Sequence, residues 1–391
     1  ELNDFLSKNE PFVLKDVTIG KQFHWEQQED QTFMGSLRVI AREGQLHAIN
    51  IIPVEEYLKS VISSEMSATN NLELLKTHAI ISRSWVLRQM KQETPSQPPR
   101  GKELKKTGSG VQDFSSTDGV QTNSLPREGK GGTSFCKIWD HSDHILYDVC
   151  ADDHCQRYQG ITRQVSPLVA QAIEETRGMV LLDNDGQICD ARFSKCCGGK
   201  SELFSSCWQD VDFHYLQPVD DPWCDTHDER VLRLVLNDYD QRTIDFHDWE
   251  VSYPQEQLTE LFNRRMKGEY PDFMPLDSIT ALNPVKRGPS GRIYDLEVVG
   301  TRGGQPVSLH LGKELLIRKA LSESHLYSSA FDVTYLPLGE GQGEAFVLKG
   351  KGWGHGVGLC QIGAANMSQH GKTYEEILQH YFVGARVEKL Y

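Results

Sequence analysis

Apolar and polar residues alternate from about Phe12 to Ile52, in VLKDVTI, SLRVIA and LHAINII. A period of two is what a half-covered strand produces, so this stretch predicts hairpins, with Gly20, Gly35 and Gly44 at the turns. The period changes at Pro53, a residue suited to the first turn of a helix. In VEEYLKSVISSEM, residues Tyr57, Leu58, Val61, Ile62 and Met66 fall on one helical stripe. After the breaker Ser67 to Asn71, LELLKTHAIISRSWVLRQM predicts a second helix, with Leu72, Leu75, Ala79, Ser82 and Val86 as a narrow packing face. Further on, GMVLLD, ICDARFS, YDLEVVG and AFVLKG read as strands. Helices are expected near Val165 to Glu175, Gln255 to Arg265 and Gly312 to Leu321, with one more carrying Met367, Tyr374, Ile377, Leu378 and Tyr381. Regular βαβ alternation and fixed-period repeats are both absent, so the expected class is α+β with mixed, largely antiparallel sheets.

From 93 to 133 the pattern vanishes into Pro, Gly, Ser and charge, with little to bury, which predicts a flexible surface insertion. The expected organisation is a single domain over 1–391. It runs through N-terminal strands 10–52, a helical pair 53–91, the insertion 93–133, a cysteine-rich region 136–225, a second α+β lobe 226–345, and a closing glycine motif and helix over 346–391. With 38% hydrophobic and 9% aromatic residues the chain can fill a core. It has no run of the ~20 apolar residues that span a bilayer. It begins at Glu1 with no leader, and we read it as a mature or trimmed product. A formal net charge of −14 points away from nucleic acid, whose phosphates need clustered Lys and Arg. Nine cysteines, an odd number, leave disulfides, a metal site or both open.

Four local patterns carry chemistry. In GKGWGHGVGLCQIG, Gly354 and Gly356 flank His355, with Gln361 following. Alternate glycines allow positive φ and close approach of backbone to a ligand, and an imidazole and an amide held there can bond sugar hydroxyls or N-acetyl groups. The same run would also serve as a tight turn packed under Trp353. Glu65 ends VISSE beside Val61, Ile62 and Met66; partial desolvation there would raise its pKa toward that of a general acid, whereas a solvated helix-end residue would do nothing of the kind. His144, Cys150, His154 and Cys155 bring two imidazoles and two thiols within a dozen residues, a zinc-selecting set, with Cys136 and His141 in reserve. The alternative is a Cys150–Cys155 disulfide with two surface histidines. In SKCCGGKSE, Gly198 and Gly199 read as a sharp turn, and vicinal Cys196 and Cys197 call for remote partners. Cys207 and Cys224 flank one loop and form the expected disulfide.

Taken in order, these segments resemble the stage II sporulation protein D family, also called the amidase-enhancer domain. Its LEEYLKGVVAAEMP and EALKAQAVAARTY helices look like PVEEYLKSVISSEMS and LELLKTHAIISRSW. Its SGG turn is similar to CCGGKSE, and its SGRV strand to Ser290-Gly291-Arg292-Ile293. LGKELLIRKALSESHLYSSAFDV and the closing GWGHGVGLCQIGAANMSQHGKTYEEILQHYF complete the match, from about residue 50 to the C-terminus. Ser67, His78 and Cys197 stand where the family has Pro, Gln and Ser. The resemblance implies a lytic transglycosylase of peptidoglycan glycan strands, working in sporulating members after stem peptides are removed. Glu65 would protonate the glycosidic oxygen and then act as base on the muramic C6 hydroxyl. His355, Gln361, Gly354, Gly356, Arg83, Ser194, Gly198 and Gly199 form the expected substrate-binding set. It also implies structural zinc at His144, Cys150, His154 and Cys155, a cell-envelope location, and a cell-wall amidase as possible partner. A glycan-binding enhancer of an N-acetylmuramoyl-L-alanine amidase, and a zinc hydrolase with an open coordination position, are the competing readings.

Overall fold

The computed structural model describes the chain except residues 1–3, 7–9, 20–25, 43, 67–70, 92–126, 130–131, 139–143, 145, 163–165, 237–246 and 338–343. Gly20, Ser67, His141 and most of the 93–133 insertion therefore lie outside the described residues. The class is α+β, with mostly antiparallel sheets.

The N-terminal alternation forms strands Phe12–Ile19, Gln27–Phe33, Ser36–Arg42 and Gln45–Ile51, paired antiparallel as 12–19 with 27–33 and 36–42 with 45–51. Gly35 and Gly44 take φ of 99° and 76° at the turns, as expected. Helix α1 (Val54–Glu65) follows Pro53, whose carbonyl accepts the amides of Glu56 and Tyr57. Its predicted stripe is buried, with Leu58, Val61, Ile62 and Met66 fully enclosed. Helix α2 (Leu72–Lys91) departs from expectation. It is buried nearly all round from Leu74 to Val86, because α1, α3 (Pro167–Glu175), the strand Met179–Leu182 and the two C-terminal helices surround it. Such a central helix needs no polar face. Among its described residues the one buried cation, Arg83, is compensated by Glu55 at 2.7 Å.

The cysteine-rich region is mainly loops, with short α4 (Phe204–Cys207) and α5 (Glu229–Val235). Of ICDARFS only Phe193–Ser194 is strand, pairing parallel with Leu359–Cys360. The second lobe has its own core, with Phe262, Leu296, Leu311, Leu316 and Ile317 enclosed between sheets and helices α6 (Gln255–Glu269) and α7 (Glu314–Ala320). Its five-stranded sheet includes Arg127–Gly129 and Gly132–Cys136, the latter parallel to Gln305–Gly312. The tail of the expected insertion is thus part of the sheet, where its backbone pairs with the free donors and acceptors of the Gln305–Gly312 edge. The last predicted helix is two helices, α8 (Gln361–Gln369) and α9 (Tyr374–Tyr381), broken at Gly371 and restarted by a Thr373–Glu376 capping box.

Candidate functional site

A groove of about 340 Å³ runs between the helical core and the second lobe, within the range of ligand pockets. Glu65, Asp152, Asp153 and Glu314 are its acids. As the last residue of α1, Glu65 is only 9% exposed, held there by the apolar stripe that buries the helix. Its Oε1 accepts the Arg157 backbone N–H at 2.9 Å, and its own carbonyl accepts Lys195 Nζ at 3.1 Å. Burial pushes its pKa up, as does Asp153, against the opposing pull of Arg157 and Lys195. That is the environment in which a carboxyl keeps its proton above the usual range.

Another part of the lining comes from the glycine run. Gly352, Gly354, Gly356 and Gly358 take φ of 75°, 90°, 75° and 72°, so every second residue occupies the left-handed region. A Cβ on Gly356 would lie 2.4 Å from Arg292 Nη1, which makes this loop a close backbone fit around a buried guanidinium. Arg292 is fully buried and donates to the carbonyls of Gly354, Cys197 and Cys196 and to Ser290 Oγ. It fastens the loop to the 196–199 turn and to the second lobe.

This bracing sets Gly354, His355, Gln361 and Ser194 on the same groove as Glu65. Among the described residues, Ser194 Oγ and Gln361 Nε2 are buried with no hydrogen-bond partner, and Glu314 Oε2 on the same groove is likewise unpartnered. Native proteins rarely leave such atoms unpaired, so these are the groove atoms with hydrogen-bonding capacity to spare. His355 accepts the Val357 N–H on Nδ1 at 3.0 Å, which puts the proton of its neutral form on Nε2. Burial, with Arg192, Arg292 and Arg318 nearby, drives its pKa well down, so the ring is neutral. It packs edge-on against Trp208 at 4.8 Å, and Arg192 sits 4.1 Å over the same indole while paired with Asp190. Trp85, Trp208 and Trp353 give the groove aromatic surface on which the apolar face of a sugar can lie.

The His144, Cys150, His154 and Cys155 ligand atoms all lie within 4.8 Å of one another. Cys155 Sγ is 3.3 Å from His144 Nε2 and 3.6 Å from His154 Nδ1. A tetrahedron with Zn–S of ~2.3 Å and Zn–N of ~2.0 Å spaces such atoms about 3.5 Å apart, so the donor set fits zinc. Hydrogen bonding from Cys155, and from both imidazoles, holds the Cys150 thiol far below its ordinary range. Four protein donors close the coordination shell, which suits a structural ion and leaves no position for a reacting water. The loop also touches the acid: Arg157 N binds Glu65, Tyr57 donates to Gln156, and Gln159 N binds Ser60.

Other expected residues sit elsewhere. Arg83 is fully buried in its pair with Glu55 and donates to the carbonyls of Ala79 and Met179, so it faces the helix core and not the groove. Gly356 packs on Arg292, Gly198 packs against Lys351 and Gly352, and Gly199 lies near His247; none of the three lines the groove. No Cys207–Cys224 disulfide exists, because Cys207 Sγ points at the His355 carbonyl while Cys224 joins a different cluster. Cys150 and Cys155 are likewise free, and Cys136 is not among the metal-ligand set. His78 stacks edge-on against Phe193 at 5.0 Å, and burial lowers its pKa to about 3. Sequence reading missed Trp208, Arg192, Lys195, Glu314 and Arg318. Glu314 and Arg318 are spaced i, i+4 on α7 and form a buried pair, but that spacing alone reads as a surface pair.

Residues 42–182 match the family model described as stage II sporulation protein, and residues 202–358 match a domain of unknown function (DUF8618). The chain is 24% identical over 343 residues to stage II sporulation protein D of Bacillus amyloliquefaciens, covering 88% of this chain and 76% of that protein. It is 23% identical over 344 residues to the Bacillus subtilis protein of the same name, with the same shares covered. The amidase enhancer of Bacillus subtilis is 26% identical over 235 residues, 55% of this chain and 32% of that protein.

Proposed function

Because the chain belongs to the stage II sporulation protein D and amidase-enhancer family, we propose that it cleaves peptidoglycan glycan strands by a lytic transglycosylase reaction in the cell envelope. The observation that carries this is a buried Glu65, its pKa raised by that burial, on one groove with the Ser194 hydroxyl and Gln361 amide, both unpartnered among the described residues. Glu65 gives its proton to the oxygen joining N-acetylmuramic acid to the next N-acetylglucosamine, and the C1–O bond breaks. The carboxylate so formed takes the C6 hydroxyl proton as that oxygen bonds to C1, closing a 1,6-anhydro ring. One proton leaves on the departing sugar oxygen and another returns from the C6 hydroxyl, so the carboxyl is regenerated with no second carboxylate and no water consumed. Gln361 and Ser194 are suited to bond an N-acetyl group or hydroxyl, and the tryptophans to support a ring face. Zinc at His144, Cys150, His154 and Cys155 would supply structural rigidity to the loop whose Arg157 amide holds Glu65.

Purified protein incubated with peptidoglycan, intact or stripped of stem peptides, is expected to release anhydro-ended products detectable by mass spectrometry. Glu65→Gln should lower the rate by roughly 10²–10⁴-fold, the usual contribution of a general acid. Full activity in that variant would remove Glu65 from the chemistry. The amidase enhancer among the relatives supports a second reading. Under it no sugar product forms, while an added N-acetylmuramoyl-L-alanine amidase works faster.

A further inference from the structure

We propose that the chain holds a second metal site, a buried thiolate centre formed by Cys197, Cys224 and Cys360 with the Asp221 carboxylate, selective for zinc or a similarly thiophilic divalent ion. The four ligand atoms lie within 4.8 Å of one another, and all four residues are at most 1% exposed. Cys197 Sγ is 3.5 Å from Cys224 Sγ and 3.3 Å from Asp221 Oδ2. A zinc tetrahedron requires ~3.8 Å between sulfurs and ~3.5 Å between sulfur and oxygen, so the side chains already stand near coordination geometry. Three sulfurs and one hard oxygen, arranged around a point, select zinc over magnesium or calcium.

The backbone is set for thiolates. Gly199 N–H donates to Cys224 Sγ at 3.1 Å, and Cys197 N–H and Gly363 N–H donate to Cys360 Sγ at 3.3 and 3.4 Å. Cys360 is the N-cap of α8, where the helix dipole favours negative charge. Asp221 is oriented from outside the site, accepting Tyr381 O–H on Oδ2 at 2.9 Å and Trp223 N–H on Oδ1 at 3.1 Å. Such outer partners are how metal ligands are aimed. Gly363 leaves room for this, since a Cβ there would lie 2.3 Å from Asp221 Oδ2. Cys196 borders the same sulfurs and is the one further thiol that could exchange for Asp221.

The ion would tie together three segments distant in sequence, the 196–199 turn, the 221–224 turn and the start of α8. Two of them carry Ser194 and Gln361 into the groove. Binding displaces the thiol protons, so affinity rises with pH.

The test uses the full chain, loaded with zinc under reducing conditions, with metal counted by mass spectrometry and thiols by alkylation. The wild type should hold about two equivalents, and Cys150→Ser/Cys155→Ser about one. That double variant loaded with cobalt should show thiolate-to-cobalt charge transfer and tetrahedral visible bands. Asp221→Asn should shift the visible bands while the sulfur absorption persists, a readout that survives even if Cys197→Ser or Cys360→Ser fails to fold. One equivalent in both wild type and double variant keeps this centre and removes the His144 one. No metal in the double variant, or a disulfide among Cys196, Cys197, Cys224 and Cys360 in the protein as isolated, overturns the proposal.

Discussion

Glu65 couples pH to stability. Burial raises its folded pKa above the ordinary 4.5, so between that value and the raised one the folded chain binds more protons than the unfolded chain. Stability contributed by this group is complete below 4.5 and declines as pH rises through the folded pKa. Glu65→Gln keeps an oxygen for the Arg157 amide and removes the titration. Its melting temperature is expected to match wild type in acid and exceed it at neutral pH. Thermal melts across a pH series check this, and an unchanged pH slope would mean the carboxyl is solvated. The same reasoning explains why Arg83 could not serve the groove. A guanidinium with no exposure, bound by Glu55 and two carbonyls, is compensation for burying charge in a central helix.

Among elements, the glycine loop and the cysteine loop decide the site. Gly356→Ala meets both a left-handed φ and a 2.4 Å contact with Arg292, and a cost of roughly 1–3 kcal/mol is expected. Gly199→Ala, with φ of 98° but its nearest atom at 3.9 Å, should cost less. Denaturant titration of the pair checks the order, and equal costs would show that Arg292 does not confine the loop. For the cysteine loop, if zinc is bound at His144, Cys155→Ser or chelation is expected to abolish that binding and increase amide exchange over residues 150–159. The rate should fall with it, because Arg157 N is the hydrogen bond that holds Glu65. Protection left intact after the ion is lost would separate the metal from the acid.

At the scale of the whole molecule, the groove exists only because two cores meet. The helical core brings Glu65 and Gln361, the second lobe brings Glu314 and Arg318, and Arg292 bonds across the boundary. Arg292→Met would leave the Cys197 and Gly354 carbonyls without their donor. Calorimetry is expected to show a broader transition, or two, and glycan binding should weaken. A single unaltered transition with full binding would mean that packing alone aligns the lobes.

Local pattern was enough to read the N-terminal hairpins, the stripe on α1, the helices near 167–175 and 255–269, and the glycine run with His355 and Gln361. Each depends on neighbours a few residues away, through pleat, helical period or positive φ. Glu65 was legible by its apolar flanks and by resemblance, and the His144 to Cys155 set by its donor chemistry. What only the tertiary structure decided were relations between distant segments. It enclosed α2 on every side, which turned Arg83 inward, and it split the last helix at Gly371. It also drew Cys197, Asp221, Cys224 and Cys360 into one buried cluster and set Glu65 on the same groove as a loop nearly three hundred residues later. A sequence states which groups can pair. Which of them meet is fixed by how the two cores pack, because burial and contact arise from the sum of long-range interactions.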